Sequence, residues 1–282
     1  MSIKDFFQRE WAGVADAWRK WGGEVRVQSA AATEWICELA RIRAGMQVLD
    51  LASGVGDPAL ELARRVGPTG RVVATDLVAG PLAFVEQSAR TEGLTWLTTQ
   101  SADMECLPFD DATFDAVTCR LGIMFSAEPA QALREIRRVL KPSGRAAFIA
   151  WGSHRQPAFS TTLSVIGEYF SPEAAPAPRQ TGVPGPFQFE LPGSLSSELR
   201  AVGFAVVHEA QRVLPWPFRG SAEQFWEMFS ELAGPSLQHA VASLEPEKQQ
   251  ALIQRIVDNL RAHQQGSVID PTALVIGCSA SA

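Results

Sequence analysis

The 282-residue chain carries 25 Lys and Arg against 31 Asp and Glu, a formal net charge of −6, and 46% hydrophobic residues. Such a chain can bury one large core with a cap. Its acidic charge is spread along the sequence, and no basic cluster interleaves with aromatics, so nucleic acid is excluded as a partner. No apolar run of about eighteen residues occurs, and Met1-Ser2-Ile3-Lys4-Asp5-Phe6-Phe7 is charged too early for a signal peptide. The chain is therefore expected in the cytoplasm, without membrane insertion.

In chain order, Phe6, Trp11, Val14, Trp18 and Trp21 recur near helical spacing within residues 5–43 and predict helices. Their apolar face suits a layer packed on a sheet edge and a lid over a site equally well. Val48-Leu49-Asp50-Leu51-Ala52-Ser53-Gly54-Val55-Gly56-Asp57 then reads as a buried strand, a small glycine-bearing turn and the start of a helix continued by Leu60, Leu62, Ala63 and Val66. Ala52, Gly54 and Gly56 remove the bulk that would keep a ligand off the backbone. A second strand, Arg71-Val72-Val73-Ala74-Thr75, ends in Asp76, where a carboxylate can take both hydroxyls of a ribose. An adenosine-like cofactor is expected here.

Strands near 47–52, 71–76, 94–99, 114–119 and 145–151 alternate with helices, which predicts an α/β, doubly wound parallel sheet with ligand at the carboxyl ends of its strands. That rule gathers Asp50, Asp76, Asp103, Arg120 and Trp151 on one edge. Arg134, Arg137, Arg138 and Lys141 fit the exposed face of a helix. Pro172, Pro176, Pro178, Pro184, Pro186 and Pro192 mark an insertion, a helix at 194–202 and a strand at 204–214 follow, and Phe225, Trp226, Met228 and Phe229 open a helical insertion over 221–264. Ala273-Leu274-Val275-Ile276-Gly277-Cys278 reads as a closing strand. The units are 1–45, 46–152, 153–193, 194–215, 216–266 and 267–282. Cys37, Cys106, Cys119 and Cys278 lie far apart without a C-x-x-C pair, so neither a metal site nor a disulfide framework is indicated.

A dinucleotide site would want a third glycine after Gly56, and Asp57 at the helix start is a poor neighbour for a pyrophosphate but compatible with a cationic or zwitterionic ligand. The glycine turn, Ala74-Thr75-Asp76-Leu77, Asp103-Met104-Glu105-Cys106-Leu107-Pro108-Phe109, Phe114-Asp115-Ala116-Val117-Thr118-Cys119-Arg120 and Leu140-Lys141-Pro142-Ser143-Gly144-Arg145 together resemble the class I S-adenosylmethionine-dependent methyltransferases, methyltransferase type 11, close in motif to the ubiquinone and menaquinone biosynthesis type. The resemblance covers residues 46–151 and departs from the family at Ala52, where the first glycine of the motif usually stands.

The resemblance implies a seven-stranded Rossmann-like sheet with an N-terminal helical lid, helical cap insertions and an antiparallel closing strand beside the fifth. It implies S-adenosylmethionine as cofactor and S-adenosylhomocysteine as product. By it, Ala52, Ser53, Gly54 and Gly56 pass the methionyl moiety, Asp50 anchors the turn through backbone amides, Asp76 holds the ribose with Leu77 on the adenine, and Asp103 with Met104 addresses the adenine edge. Arg120 is a cofactor contact or the partner of a neighbouring acid. His154 is the candidate general base, or a solvated loop histidine. Trp18, Phe125, Trp151, Phe159 and Trp216, with Phe170 and Trp226, are candidates to line a pocket for a small apolar or aromatic acceptor, and each suits core packing as well. The rival functions are a non-catalytic cofactor-binding scaffold and a nucleotide-dependent oxidoreductase.

Overall fold

The computed structural model describes residues 2–157, 161–170 and 182–282. Phe159, Pro172, Pro176 and Pro178 lie outside them. Three helices open the chain, α1 (Ile3–Gly13), α2 (Ala15–Gln28) and α3 (Ala30–Ala40). Strands and helices then alternate: β1 (Gln47–Leu51), α4 (Ala59–Val66), β2 (Arg71–Asp76), α5 (Ala79–Thr91), β3 (Leu97–Ser101), β4 (Phe114–Arg120), α6 (Pro129–Val139) and β5 (Leu140–Trp151). After β5 come α7 (Leu163–Gly167), α8 (Ser194–Ala201), β6 (Val206–Leu214) and β7 (Phe218–Arg219). The cap helices α9 (Ala222–Leu232), α10 (Pro235–Ala242) and α11 (Pro246–Arg261) lead to β8 (Gln264–Gln265), β9 (Val268–Ile269) and β10 (Ala273–Ser281).

The seven-stranded sheet has the order β3-β2-β1-β4-β5-β10-β6, with β1 to β5 parallel and β10 antiparallel between β5 and β6. Both faces of the central strands are covered, which is why Val48, Leu49, Leu51, Val72 and Val73 form apolar runs instead of alternating. One face packs α3, α4 and α5, the other α6 and α8. A third apolar cluster lies in the cap, among α7, α9, α10, α11 and Phe218 and Ile269 of the small sheet β7-β9-β8. Among the described residues, no helix is long and apolar enough to cross a membrane.

Strand starts differ most from expectation at β3 and β5. Gly93 takes φ +71°, and Leu94 to Trp96 form a turn before β3 begins at Leu97; the Trp96 indole donates to Ala63 O at 2.7 Å, so its apolarity serves helix packing. β5 starts at Leu140, before the Pro142-Ser143-Gly144 stretch, because the chain pairs Leu140 with Phe114 and resumes register at Ala116 and Arg145 across a bulge. Arg138 on α6 bonds Glu135 and Asp111 at 2.8 Å each, whereas Lys141, expected on the same helix face, falls in β5 because the helix ends at Val139, and bonds Asp115 at 2.8 Å. The N-terminal helices divide in role. α3 is part of the core layer, with Trp35 lying against Gly277 of β10 so closely that any Cβ there would collide with the ring, whereas α1 and α2 reach the strand ends.

Candidate functional site

The turn after β1 is built from unusual backbone. Ala52, Gly54 and Gly56 have φ of +53°, +51° and +107°. Ala52 is tolerated because its methyl points at Gly122, where a Cβ would collide with it. Ser53 N donates to Thr75 O at 2.9 Å and ties the turn to β2. Gly54 has open space where a Cβ would stand, facing the cavity, whereas a Cβ on Gly56 would come within 3.2 Å of Leu60 and 3.3 Å of Val85. Gly56 therefore lets α4 and α5 pack under the turn and is not among the cavity-lining residues.

Beneath the turn, Asp50 is fully buried. Its carboxyl accepts from Ser53 Oγ at 2.7 Å and Thr118 Oγ1 at 2.6 Å, so hydroxyls hold it where backbone amides were expected. Burial pushes its pKa up to about 7, against the opposing effect of those two donors. Asp76, at the end of β2, does line the cavity; Oδ2 accepts from Gly54 N and Oδ1 from Val78 N, both at 2.9 Å. Burial raises its pKa too, with the Val78 and Gly54 amides holding it back.

One cavity of about 460 Å³ runs along the carboxyl ends of β1, β2 and β4 and beneath α1, α2 and the cap. Ala52, Ser53, Gly54, Asp76, Leu77, Asp103, Met104 and Arg120 all line it. α2 comes down on the tip of the turn: a Cβ on Gly22 would lie 3.5 Å from Val55 Cγ2. Asp103 accepts from Lys4 Nζ of α1 at 2.6 Å and from Glu105 N at 2.9 Å. Lys4 also pairs with Glu105 at 2.5 Å, and Glu105 in turn accepts from Ser126 Oγ and the amides of Ala127 and Glu128. Arg120 meets a neighbouring acid: Nη1 lies 2.9 Å from Asp57 Oδ2 and Nη2 donates to Asp57 O at 2.8 Å. Asp57 also accepts from Ser29 and Thr33, so the acid at the helix start is engaged by protein groups.

Away from the turn the walls are aromatic. Phe125 meets the rings of Trp11 and Phe7 edge to face at 5.0 and 5.2 Å, and Trp151 meets Trp216 at 4.9 Å. Phe225, Met228 and Phe229 of α9 close the far side, and Trp18 adds its ring from α2. Phe170 and Trp226 pack inside the cap cluster and do not line the cavity. His154 is not brought to it either: Nδ1 lies 2.7 Å from Glu190 Oε2, and the ring packs edge to face on Phe187 at 5.8 Å. Lys4, Glu10 and Gln28, which no sequence motif marks, also line the cavity. Lys4 pairs across 99 positions and Glu10 holds Ser236 across 226, so no local spacing announces them.

Residues 49–148 match the methyltransferase domain family. A ubiquinone/menaquinone biosynthesis C-methyltransferase of Idiomarina loihiensis is 37% identical over 131 residues, 46% of this chain and 51% of that protein. This segment is similar to class I S-adenosylmethionine-dependent methyltransferase domains. The chain spans about half the length of the curated relatives first matched. Among solved structures, the YcgJ protein of Bacillus subtilis aligns with TM-score 0.58 at 18% identity, covering 89% of this chain and 97% of that one. The [4+2]-cyclase SpnF aligns with TM-score 0.53 at 23% identity, covering 89% and 80%. These likenesses show the Rossmann-like methyltransferase fold. Neither the oxidoreductase nor the scaffold alternative draws support from the matches.

Proposed function

We propose that the chain transfers a methyl group from S-adenosylmethionine to a small, apolar or aromatic acceptor. The observation that supports this best is continuity: one cavity joins the glycine turn and Asp76 to an aromatic chamber under the cap. The residues at the turn fit the cofactor. Gly54 leaves room for close approach, and the Asp76 carboxylate, fixed by two amides, keeps lone pairs for a ribose diol. Leu77 would offer an apolar wall to the adenine, and Asp103 with Met104 would address its edge.

When bound, the cofactor supplies an activated methyl group for in-line displacement. The chain's own residues then position and exclude water. Trp18, Phe125, Trp151 and Trp216 hold a flat or apolar acceptor, while α1, α2 and α9 roof the chamber. Orientation of this kind is worth orders of magnitude in rate without a proton-transfer group. His154, held off the cavity wall by Glu190, is given no role in moving a proton.

Calorimetric titration with S-adenosylhomocysteine tests the reading. Wild-type protein is expected to bind in the micromolar range, and a folded Asp76→Ala variant to bind at least about tenfold more weakly, as loss of hydrogen bonds to a charged group implies. Folded wild-type protein that does not bind would overturn the reading. Transfer of labelled methyl to small aromatic and apolar acceptors, with no transfer to basic peptides or RNA, would establish the acceptor class.

A further inference from the structure

Lys4 and Arg120 are the cations among the residues that line the cavity, against the carboxylates of Glu10, Asp57, Asp76, Asp103 and Glu105. Four of these acids are engaged at the sheet. Asp57 pairs with Arg120, Asp103 and Glu105 share Lys4, and Asp76 is held in the turn by two amides. Glu10 is the fifth, and among the described residues no cation pairs with it: Oε1 accepts from Ser236 Oγ at 2.8 Å and Oε2 from Ser236 N at 3.1 Å.

The setting of Glu10 is aromatic. Phe7, Glu10 and Trp11 of α1 all line the cavity, and helical spacing makes Phe7 and Glu10 neighbours one turn apart. Phe125 meets both Phe7 and Trp11 edge to face, and Trp11 meets Trp18 in the same way at 6.4 Å. The carboxylate also lies directly against the start of α10, where a Cβ on Gly234 would stand 2.7 Å from Oε2. Glu10 therefore belongs to the roof, between α1 and the cap, and not to the strand ends that carry Asp76 and Asp103. Its oxygens keep lone pairs beyond those that serve Ser236, and Ser236 Oγ can itself accept. A half-buried carboxylate among rings, without a counter-charge, calls for a cation, and aromatic faces attract the same kind of charge.

We propose that Glu10 selects the acceptor and that the acceptor is a protonated amine with an apolar or aromatic body, an inference that rests on the reading of this chamber as the acceptor site of a methyltransferase. The ammonium group donates to Glu10 and to Ser236 Oγ, and the body lies along Phe7, Trp11 and Phe125. Hydrogen bonds with both partners charged are about twice as strong as neutral ones. A neutral molecule of the same shape fits the rings but leaves the carboxylate uncompensated, and an anionic one is repelled by it. Glu10 acts here as a specificity residue and takes no part in forming or breaking bonds.

The test is calorimetric titration of protein saturated with S-adenosylhomocysteine, using three probes that share a phenyl body: phenethylamine, phenethyl alcohol and phenylpropanoate. Wild-type protein is expected to bind the amine about tenfold or more tighter than the alcohol, the worth of a hydrogen bond between charged groups, and the carboxylate weakest of the three. Glu10→Gln keeps an oxygen for Ser236 and removes the charge. It is expected to lose most of the preference for the amine while its affinities for the alcohol and for S-adenosylhomocysteine stay as in wild type. Loaded wild-type protein that binds none of the probes, or binds amine and alcohol equally, would overturn the proposal and leave the cofactor site standing. A Glu10→Gln variant that weakens amine and alcohol alike would also overturn it, and would reduce Glu10 to a tie between α1 and α10. Wild-type protein that does not bind S-adenosylhomocysteine would overturn the cofactor reading itself. The three-probe comparison on wild-type protein needs no variant and decides the matter should substitution prevent folding.

Discussion

Ala52 sits at φ +53°, a left-handed conformation that costs an ordinary residue roughly 1–2 kcal/mol relative to glycine's freedom. The motif's own resemblance made Ala52 visible in the sequence as a departure; its compensation at Gly122, seventy positions away, was not visible, because only the fold brings β1 and the end of β4 together. Asp50 tells the same story in electrostatics. Its place at a strand end was legible, but the Ser53 and Thr118 hydroxyls that hold it and its complete burial were not. In the folded chain Asp50 keeps its proton up to about pH 7, whereas an unfolded chain releases it near 3.8. Between those values the folded state binds more protons, so this group's contribution to stability falls as pH rises and is lost above about pH 7. Asp50→Asn, which cannot ionise, is expected to gain melting temperature relative to wild type from pH 5 to pH 8. Parallel melting curves of the two proteins across that range would contradict the assignment.

At the scale of the element, α1 is the least anchored part of the roof. It is well formed locally, with a Ser2 and Asp5 capping box, yet Phe7 is its one buried residue. Its hold on the sheet depends on Lys4 reaching Asp103 and Glu105, and its hold on the cap depends on Glu10 accepting from Ser236 N and Oγ at 3.1 and 2.8 Å. Helical spacing revealed the helix, but neither attachment, since both cross between distant units. Burial would raise the pKa of Glu105; Lys4, the Glu128 amide and Ser126 outweigh it and leave it below 4.5, so the clamp's contribution is present above that value and is lost as pH falls through the lowered one. With solvent screening, the clamp is worth about 1 kcal/mol. Lys4→Met is therefore expected to speed amide exchange in α1 about fivefold while β1 to β5 keep their protection. Unchanged exchange in α1 would show that its docking rests on Phe7 and Trp11 instead.

Across the whole molecule, three apolar clusters divide the labour: two flank the sheet and one lies within the cap. The parallel strands were legible because apolar runs and intervening amphipathic helices repeat, and the closing strand because Ala273 to Cys278 is apolar throughout. The small β7-β9-β8 sheet escaped notice, since two-residue strands carry no periodicity. Because the cap has its own cluster, its amides are expected to exchange sooner than those of the central strands. S-adenosylhomocysteine at a hundredfold excess over its dissociation constant should add about 2.7 kcal/mol to stability, with α1 and α9 gaining protection beside the strand ends, as walls of one cavity must. Protection confined to the sheet would argue against a roofed site.

The position of β10 also sets the order in which the chain can finish folding. β6 has no partner in the sheet except β10, yet the cap is synthesised between them. During translation β6 must wait several seconds, at ordinary elongation rates, with both of its edges bare. Throughout that interval the nascent protein is a five-stranded sheet trailing an unpaired strand, and it is then that a chaperone or a pairing error would find it.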